Sequence, residues 1–184
     1  KFLKSIVSLD DVCSYCLTEP GSGSDAAALK TKAAITNEGY SLNGSKSFIS
    51  GGGFSDLYVV LCRTGDQTPS GISMLLVEDG QNGLSFGKKE QKMGWKAQPT
   101  AIVQFDNCSI PASNLVGEEG AGFKYAMEGL DGGRLNIAAA SLGGAQKAYE
   151  IAKAYSKERS AFGKQISRFQ SVSYTHLRAH ETQT

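Results

Sequence analysis

The residues best suited to chemistry lie in Tyr15-Cys16-Leu17-Thr18-Glu19-Pro20-Gly21-Ser22-Gly23-Ser24-Asp25, where glycines alternate with small hydroxyls. Glycine lets a backbone approach a ligand closely, and successive N–H groups in such a turn can face a phosphate. The run also parses as Gly21-x-Gly23-x-x-Ala26, a dinucleotide-binding spacing. That spacing works between a buried parallel strand and a helix. Here Glu19-Pro20 intervenes and strand-like Thr31–Thr36 soon follows, so the context opposes it. A simple turn is the other reading.

A second cluster is Asn43-Gly44-Ser45-Lys46-Ser47-Phe48-Ile49-Ser50-Gly51-Gly52. At a strand's period of two, Phe48 and Ser50 share a face. That face can stack an aromatic ring system and hydrogen-bond it, or it can be a core Phe beside an edge Ser. The third cluster joins Leu130-Asp131-Gly132-Gly133-Arg134 to Arg159-x-x-Phe162-Gly163 and Gln170. Arginines flanking a helix suit anionic phosphates, although such residues are equally at home in solvent. Cys13-x-x-Cys16 and His176-x-x-x-His180 have zinc-site spacings, but they stand at opposite ends of the chain. Cys13, Cys16, Cys62 and Cys108 are too sparse for a disulfide framework, and free cysteine packs as a small hydrophobe. No metal is expected, and a reducing compartment is.

The elements that must position these residues divide in two. β-branched and aromatic runs at Val12–Thr18, Leu29–Thr36, Lys46–Ser50, Leu57–Arg63, Ile72–Val77, Leu84–Phe86 and Thr100–Phe105 alternate with glycine-, proline- and asparagine-rich turns. Asn43-Gly44 is one of those turns. This spacing predicts an antiparallel β-barrel or sandwich. Beyond Pro111 the apolar period becomes helical, through Phe123, Leu130, Leu135, Leu142 and Tyr149. Either two helices or one, weakened at Gly132-Gly133, are consistent with it. The expected class is α+β, a β-barrel followed by the opening helices of an incomplete bundle. Domains are expected at residues 12–115 and 116–170, after a remnant of a helical domain at 1–11. Ser171–Thr184 (SVSYTHLRAHETQT) breaks the pattern and reads as a non-native tail; with Lys1 at the start, the chain reads as a fragment. A net charge of +1 gives no reason to expect nucleic acid or a membrane surface. No apolar run reaches the roughly 20 residues of a membrane helix, so no membrane insertion is expected.

Tyr15–Asp25 (YCLTEPGSGSD), Asn43–Ser50 (NGSKSFIS), Gly94–Pro99, Val116–Phe123, Leu130–Ala138 and Arg159–Gly163 (RSAFG) together resemble the acyl-CoA dehydrogenases. All six occur in family order and spacing. Gly132-Gly133-Arg134 with Tyr15-Cys16-Leu17 is most similar to the branch that acts on isobutyryl-CoA, in valine catabolism.

The resemblance implies an FAD enzyme with a helical N-terminal domain, a middle β-barrel and a C-terminal four-helix bundle. Its reaction is α,β-desaturation of an acyl-CoA thioester. A carboxylate takes the α proton, the β hydride passes to flavin N5, and polarisation of the thioester carbonyl steadies the developing charge. The implied electron acceptor is electron-transfer flavoprotein, and the implied assembly is a homotetramer. The implied location is the mitochondrial matrix, or the cytoplasm of a bacterium.

By the same resemblance Tyr15, Cys16, Leu17, Thr18 and Ser24 lie along the flavin, with Ser24 also on the CoA side. Phe48, Ile49 and Ser50 cover the isoalloxazine, Phe48 standing where many relatives have tryptophan and Ser50 where many have threonine. Asp131, Gly132, Gly133 and Arg134 meet CoA. Arg159, Phe162 and Gln170 meet FAD across a subunit interface. The sequence departs from the family at the base. Some branches place a glutamate immediately before the arginine matching Arg134, where this chain has Gly133. No other carboxylate matches a family base, so the base is expected beyond this chain and the chain alone is expected to be inactive. The competing readings are an acyl-CoA oxidase, which passes electrons to oxygen, and a non-catalytic β-rich binding domain.

Overall fold

The computed structural model describes residues 2–172 and divides into two compact units, Lys1–Glu128 and Gly129–Thr184. The first opens with a short helix α1 (Leu3–Ser8) and continues as strands β1 (Cys13–Cys16), β2 (Lys32–Thr36), β3 (Gly39–Ser50), β4 (Leu57–Arg63), β5 (Ile72–Glu78), β6 (Leu84–Phe86) and β7 (Thr100–Pro111). These form one seven-stranded sheet in the order β1-β4-β2-β3-β7-β6, with β5 paired to β4. Its core gathers Tyr40, Leu42, Ile49, Tyr58, Val60, Leu75, Val77, Val103, Phe105 and Ile110. All of these but Leu42 and Leu75 are β-branched or aromatic, side chains that fit a pleated, buried surface well.

The α+β class and the order of β domain then helix are as expected, but the sheet is mixed rather than wholly antiparallel. β1 runs parallel to β4, from Cys13 opposite Leu57 to Cys16 opposite Val60, and β2 touches β4 in parallel at Lys32–Arg63. The cause is the long excursion between them. The chain leaves β1, forms the β2–β3 hairpin, and turns through Gly51–Gly53 to start β4 beside Val12. There the N–H groups of Asp56 and Leu57 both donate to the Val12 carbonyl, at 3.0 and 3.1 Å. A connection of that length can return in either direction, unlike a tight hairpin.

Asn43-Gly44 is not the hairpin turn its sequence suggests. Both residues sit inside β3, at a register shift where Asp106 and Asn107 of β7 oppose Asn43 alone. Gly44 is required there by its φ of +145° and by Thr31, whose Cα would lie 2.8 Å from any added Cβ. The Asn43 side chain replaces a ladder bond, its Oδ1 accepting the Asn107 N–H at 2.8 Å.

Beyond the sheet a single helix α2 (Gly122–Glu158) runs through Gly132-Gly133 without a break. The second unit adds the strands β8 (Ser160–Ala161) and β9 (Lys164–Gln165), paired antiparallel. Their connection, Phe162-Gly163, has φ values of +50° and +74°, the positive pair that type I′ hairpin turns need. Of the tail expected at Ser171–Thr184, residues 173–184, with His176 and His180, lie outside the described residues.

Candidate functional site

The stretch Tyr15–Ser24 and the end of β3 are far apart in sequence and bonded in space. Ser47 N–H donates to the Thr18 carbonyl at 2.8 Å. The Ser14 hydroxyl donates to the Ser50 carbonyl at 2.6 Å and lies 2.8 Å from the Ser55 hydroxyl. A side chain at Gly51 would strike both hydroxyls, at 2.5 and 2.3 Å, so glycine is what lets this seam close. Beneath it lies an ion pair. The Lys46 ammonium is fully buried, 2.8 Å from Glu19 Oε1 and 3.0 Å from the Leu17 carbonyl. Glu19 also accepts the N–H groups of Lys30 and Thr31, at 2.6 and 2.9 Å.

Burial alone raises the Glu19 carboxyl, but Lys46, Thr31 and Lys30 outweigh it and hold it below the ordinary carboxylate value. Burial pulls the Lys46 ammonium down, with Glu19 restoring part of the loss. Each member of the pair is satisfied by hydrogen bonds, as buried polar groups must be.

Above the seam the outward groups differ in kind. Ser47 and Phe48 together oppose Ile102 of β7, between the pairs Lys46–Val103 and Ile49–Ala101. This bulge turns Phe48 to φ +58° and leaves the residue 69% exposed. A non-glycine residue there is strained. Ser50 is exposed on the same face and Tyr15 is partly exposed. Thr18 is half-buried, and neither its hydroxyl nor its N–H bonds another described residue. Cys16, Leu17 and Ile49 turn their side chains into the core, so each can offer a ligand its backbone only.

Glu19 and Ser22 close a tight turn over Pro20-Gly21, and Ser24 is exposed beyond it. A 3₁₀ turn (Ala26–Ala28), not a helix, follows, so the dinucleotide-fold context is absent. Two clefts adjoin this surface, the first of them at Ser50. One, of about 400 Å³, is lined by Cys13, Ser50, Gly51 and Phe54; the other, of about 370 Å³, by Phe54, Lys89, Lys92 and Lys96. With Phe48 and Ser50 exposed, this face is a shelf open to solvent.

Burial pushes the Cys16 thiol and the Tyr15 phenol up to about 12, and the Cys13 thiol upward too. These thiols are protonated at neutral pH and make poor nucleophiles or metal ligands. Among the described residues no metal-binding cluster exists, and no helix is long and apolar enough to cross a membrane.

In the second unit Asp131, Gly132 and Arg134 are exposed along α2 and Gly133 is half-buried. Arg159 is exposed just past the end of that helix. The β8–β9 turn displays Phe162, 95% exposed, edge-on to Phe169 at 6.3 Å between ring centres. The Lys164 ammonium lies over the Phe169 ring at 4.4 Å. Gln170 begins a last helical turn.

Three features escaped the sequence reading. Lys46 and Glu19 read locally as parts of a strand and a turn, and a lysine between β-strand positions is the one signal of their pairing. Arg63, buried, gives its guanidinium to the carbonyls of Ala27, Leu29, Asp66 and Thr68. Trp95 is exposed at φ +54°.

Residues 14–108 match the family of "Acyl-CoA dehydrogenase, middle domain", and residues 120–180 match "Acyl-CoA dehydrogenase, C-terminal domain". Among curated relatives, mitochondrial isobutyryl-CoA dehydrogenase of Dictyostelium discoideum is 54% identical over 175 residues, covering 95% of this chain and 42% of the relative. Among solved structures, butyryl-CoA dehydrogenase from Megasphaera elsdenii superposes with a TM-score of 0.92 at 42% identity, covering 98% of this chain and 48% of that one. The structure titled "PigA with FAD and proline" superposes with a TM-score of 0.92 at 31% identity, covering 98% and 47%. The chain therefore spans less than half the length of these relatives.

Proposed function

The chain belongs to the acyl-CoA dehydrogenase family, and on that premise we propose that it forms the flavin- and thioester-binding part of an FAD-dependent dehydrogenase. The substrate class is a short branched acyl-CoA such as isobutyryl-CoA. The name of the Dictyostelium relative supports that choice, and the titled FAD complex supports the cofactor.

The observation that carries the reading is the bonded seam between Tyr15–Ser24 and Lys46–Ser50, with Phe48 and Ser50 outward beside it. A flat, polar-edged ring fits such a shelf. Phe48 stacks on one side, while the Thr18 N–H, the Thr18 hydroxyl and the Ser50 hydroxyl supply donors to its edge. When bound, FAD supplies the acceptor for the β hydride. In the second unit Arg134 supplies a cation for a CoA phosphate, with Asp131, Gly132 and Gly133 next to it in the chain; in the first, Ser24 is assigned to the CoA side as well. Arg159, Phe162 and Gln170 serve the FAD of a neighbouring subunit in a homotetramer. Reduced flavin passes electrons to electron-transfer flavoprotein. The relative named mitochondrial supports the matrix as the location in a eukaryote; in a bacterium it is the cytoplasm.

On this reading the chain's residues bind and orient, and none of the described ones is assigned to take the α proton. Gly133 stands immediately before Arg134, so the residue there has no carboxylate. The test is to express the longest reading frame that contains this sequence. It should copurify with a yellow flavin that isobutyryl-CoA bleaches under anaerobic conditions. The 184-residue chain alone should show no turnover with an artificial electron acceptor. A colourless, folded full-length protein would leave the binding-domain reading, and rapid reoxidation of its reduced flavin by oxygen would favour the oxidase.

A further inference from the structure

We propose that Lys46 is a positioning residue that aims the Thr18 N–H at the flavin; the inference rests on the functional reading above and deepens it. A trans peptide is planar, so its C=O and N–H point in opposite directions. The carbonyl of the Leu17–Thr18 peptide accepts the Lys46 ammonium at 3.0 Å, on the buried side. Fixing that oxygen inward fixes the Thr18 N–H outward. The next peptide is fixed as well, because the Thr18 carbonyl accepts the Ser47 N–H at 2.8 Å and the Glu19 N–H donates to the Ser22 carbonyl at 2.9 Å. Of the backbone groups from the Leu17 carbonyl to the Glu19 N–H, the Thr18 N–H is the one without a bond to another described residue.

A buried ammonium is an unusual way to hold one carbonyl, because charge burial is costly and well-packed apolar side chains often serve stability as well or better. Here the charge does what an apolar residue cannot. Lys46 and Phe48 also lie two residues apart on β3, across the bulge, so the side chain that fixes the Thr18 donor and the ring that stacks are set by one backbone segment. Glu19 balances the charge and ties Lys30 and Thr31 to the same point.

The test uses the full-length protein carrying this sequence, purified with FAD, and three variants. Lys46→Met removes the donor and leaves Glu19 unpaired, so both Tm and flavin affinity should fall. The double variant Lys46→Met/Glu19→Gln removes both charges. Its Tm should return close to wild type, while its FAD Kd stays at least tenfold higher and its flavin absorption moves toward that of free FAD. A purely structural role predicts that affinity and spectrum recover with Tm, and that result would overturn the proposal. Should neither Lys46 variant fold, Glu19→Gln decides, since it keeps the Leu17 bond. An FAD Kd within twofold of wild type supports the assignment, and a tenfold loss overturns it. Wild-type protein that binds no FAD refutes the functional reading itself, a result distinct from any of these.

Discussion

Phe48 carries two properties that no sequence pattern announces together. Its face could be read from the period of two that it shares with Ser50. Its positive φ could not, because nothing in Ser47-Phe48-Ile49 signals a bulge as glycine would. Phe48, Trp95 and Phe162 are all exposed aromatics held at positive φ, a conformation that costs of order 1–3 kcal/mol each. Strain of this kind collects where a side chain is presented to something else. Phe48→Gly should therefore change thermal stability by less than about 1 kcal/mol, strain relief offsetting glycine's entropy. The same variant should weaken flavin binding at least tenfold, about 1.4 kcal/mol. Thermal melts and a flavin titration on one preparation separate the two effects.

Among the elements, the strand runs were legible because β-branched and aromatic residues crowd them, and the helical period beyond Pro111 was equally plain. Pairing was less so. The parallel register of β1 on β4 depends on where a long excursion returns, which local text does not encode. Asn43-Gly44 carries a hairpin signal, yet the same freedom of φ serves a shift within β3. The Glu19–Lys46 pair was hidden for a related reason: a charge beside a turn reads as solvated until two distant segments enclose it. Its titration has a definite sign. Glu19 lies below its ordinary 4.5 in the folded state, so its contribution is present above that value and lost as pH falls through the folded one. Lys46 is lowered too, so its own linkage raises stability as pH climbs toward the ordinary 10.5 and is separate from the loss at Glu19. Thermal melts from neutral pH to well below 4.5 should show wild type losing more stability than Lys46→Met/Glu19→Gln. An equal loss in the two would assign the acid sensitivity to other groups.

Taken whole, the molecule has a well-buried sheet and an unevenly covered helix. Leu135, Ile137, Leu142, Ile151 and Tyr155 of α2 are each more than half exposed, from 55% to 74%. Apolar surface on that scale favours association. The 184-residue chain should run on size-exclusion chromatography as oligomers or aggregate, and a sharp monomer peak would contradict this. The seam between β1 and β3 has a different consequence for the whole. Its bonds join Ser14 to Ser50 and Ser55, and Leu17 to Lys46, across spans that only a finished sheet brings together. No partly folded form can display the shelf, so anything that recognises it recognises completed folding. By mass action, whatever settles there draws newly made chains toward the native state; on the functional reading proposed above, the supply of that ligand would govern how much protein persists.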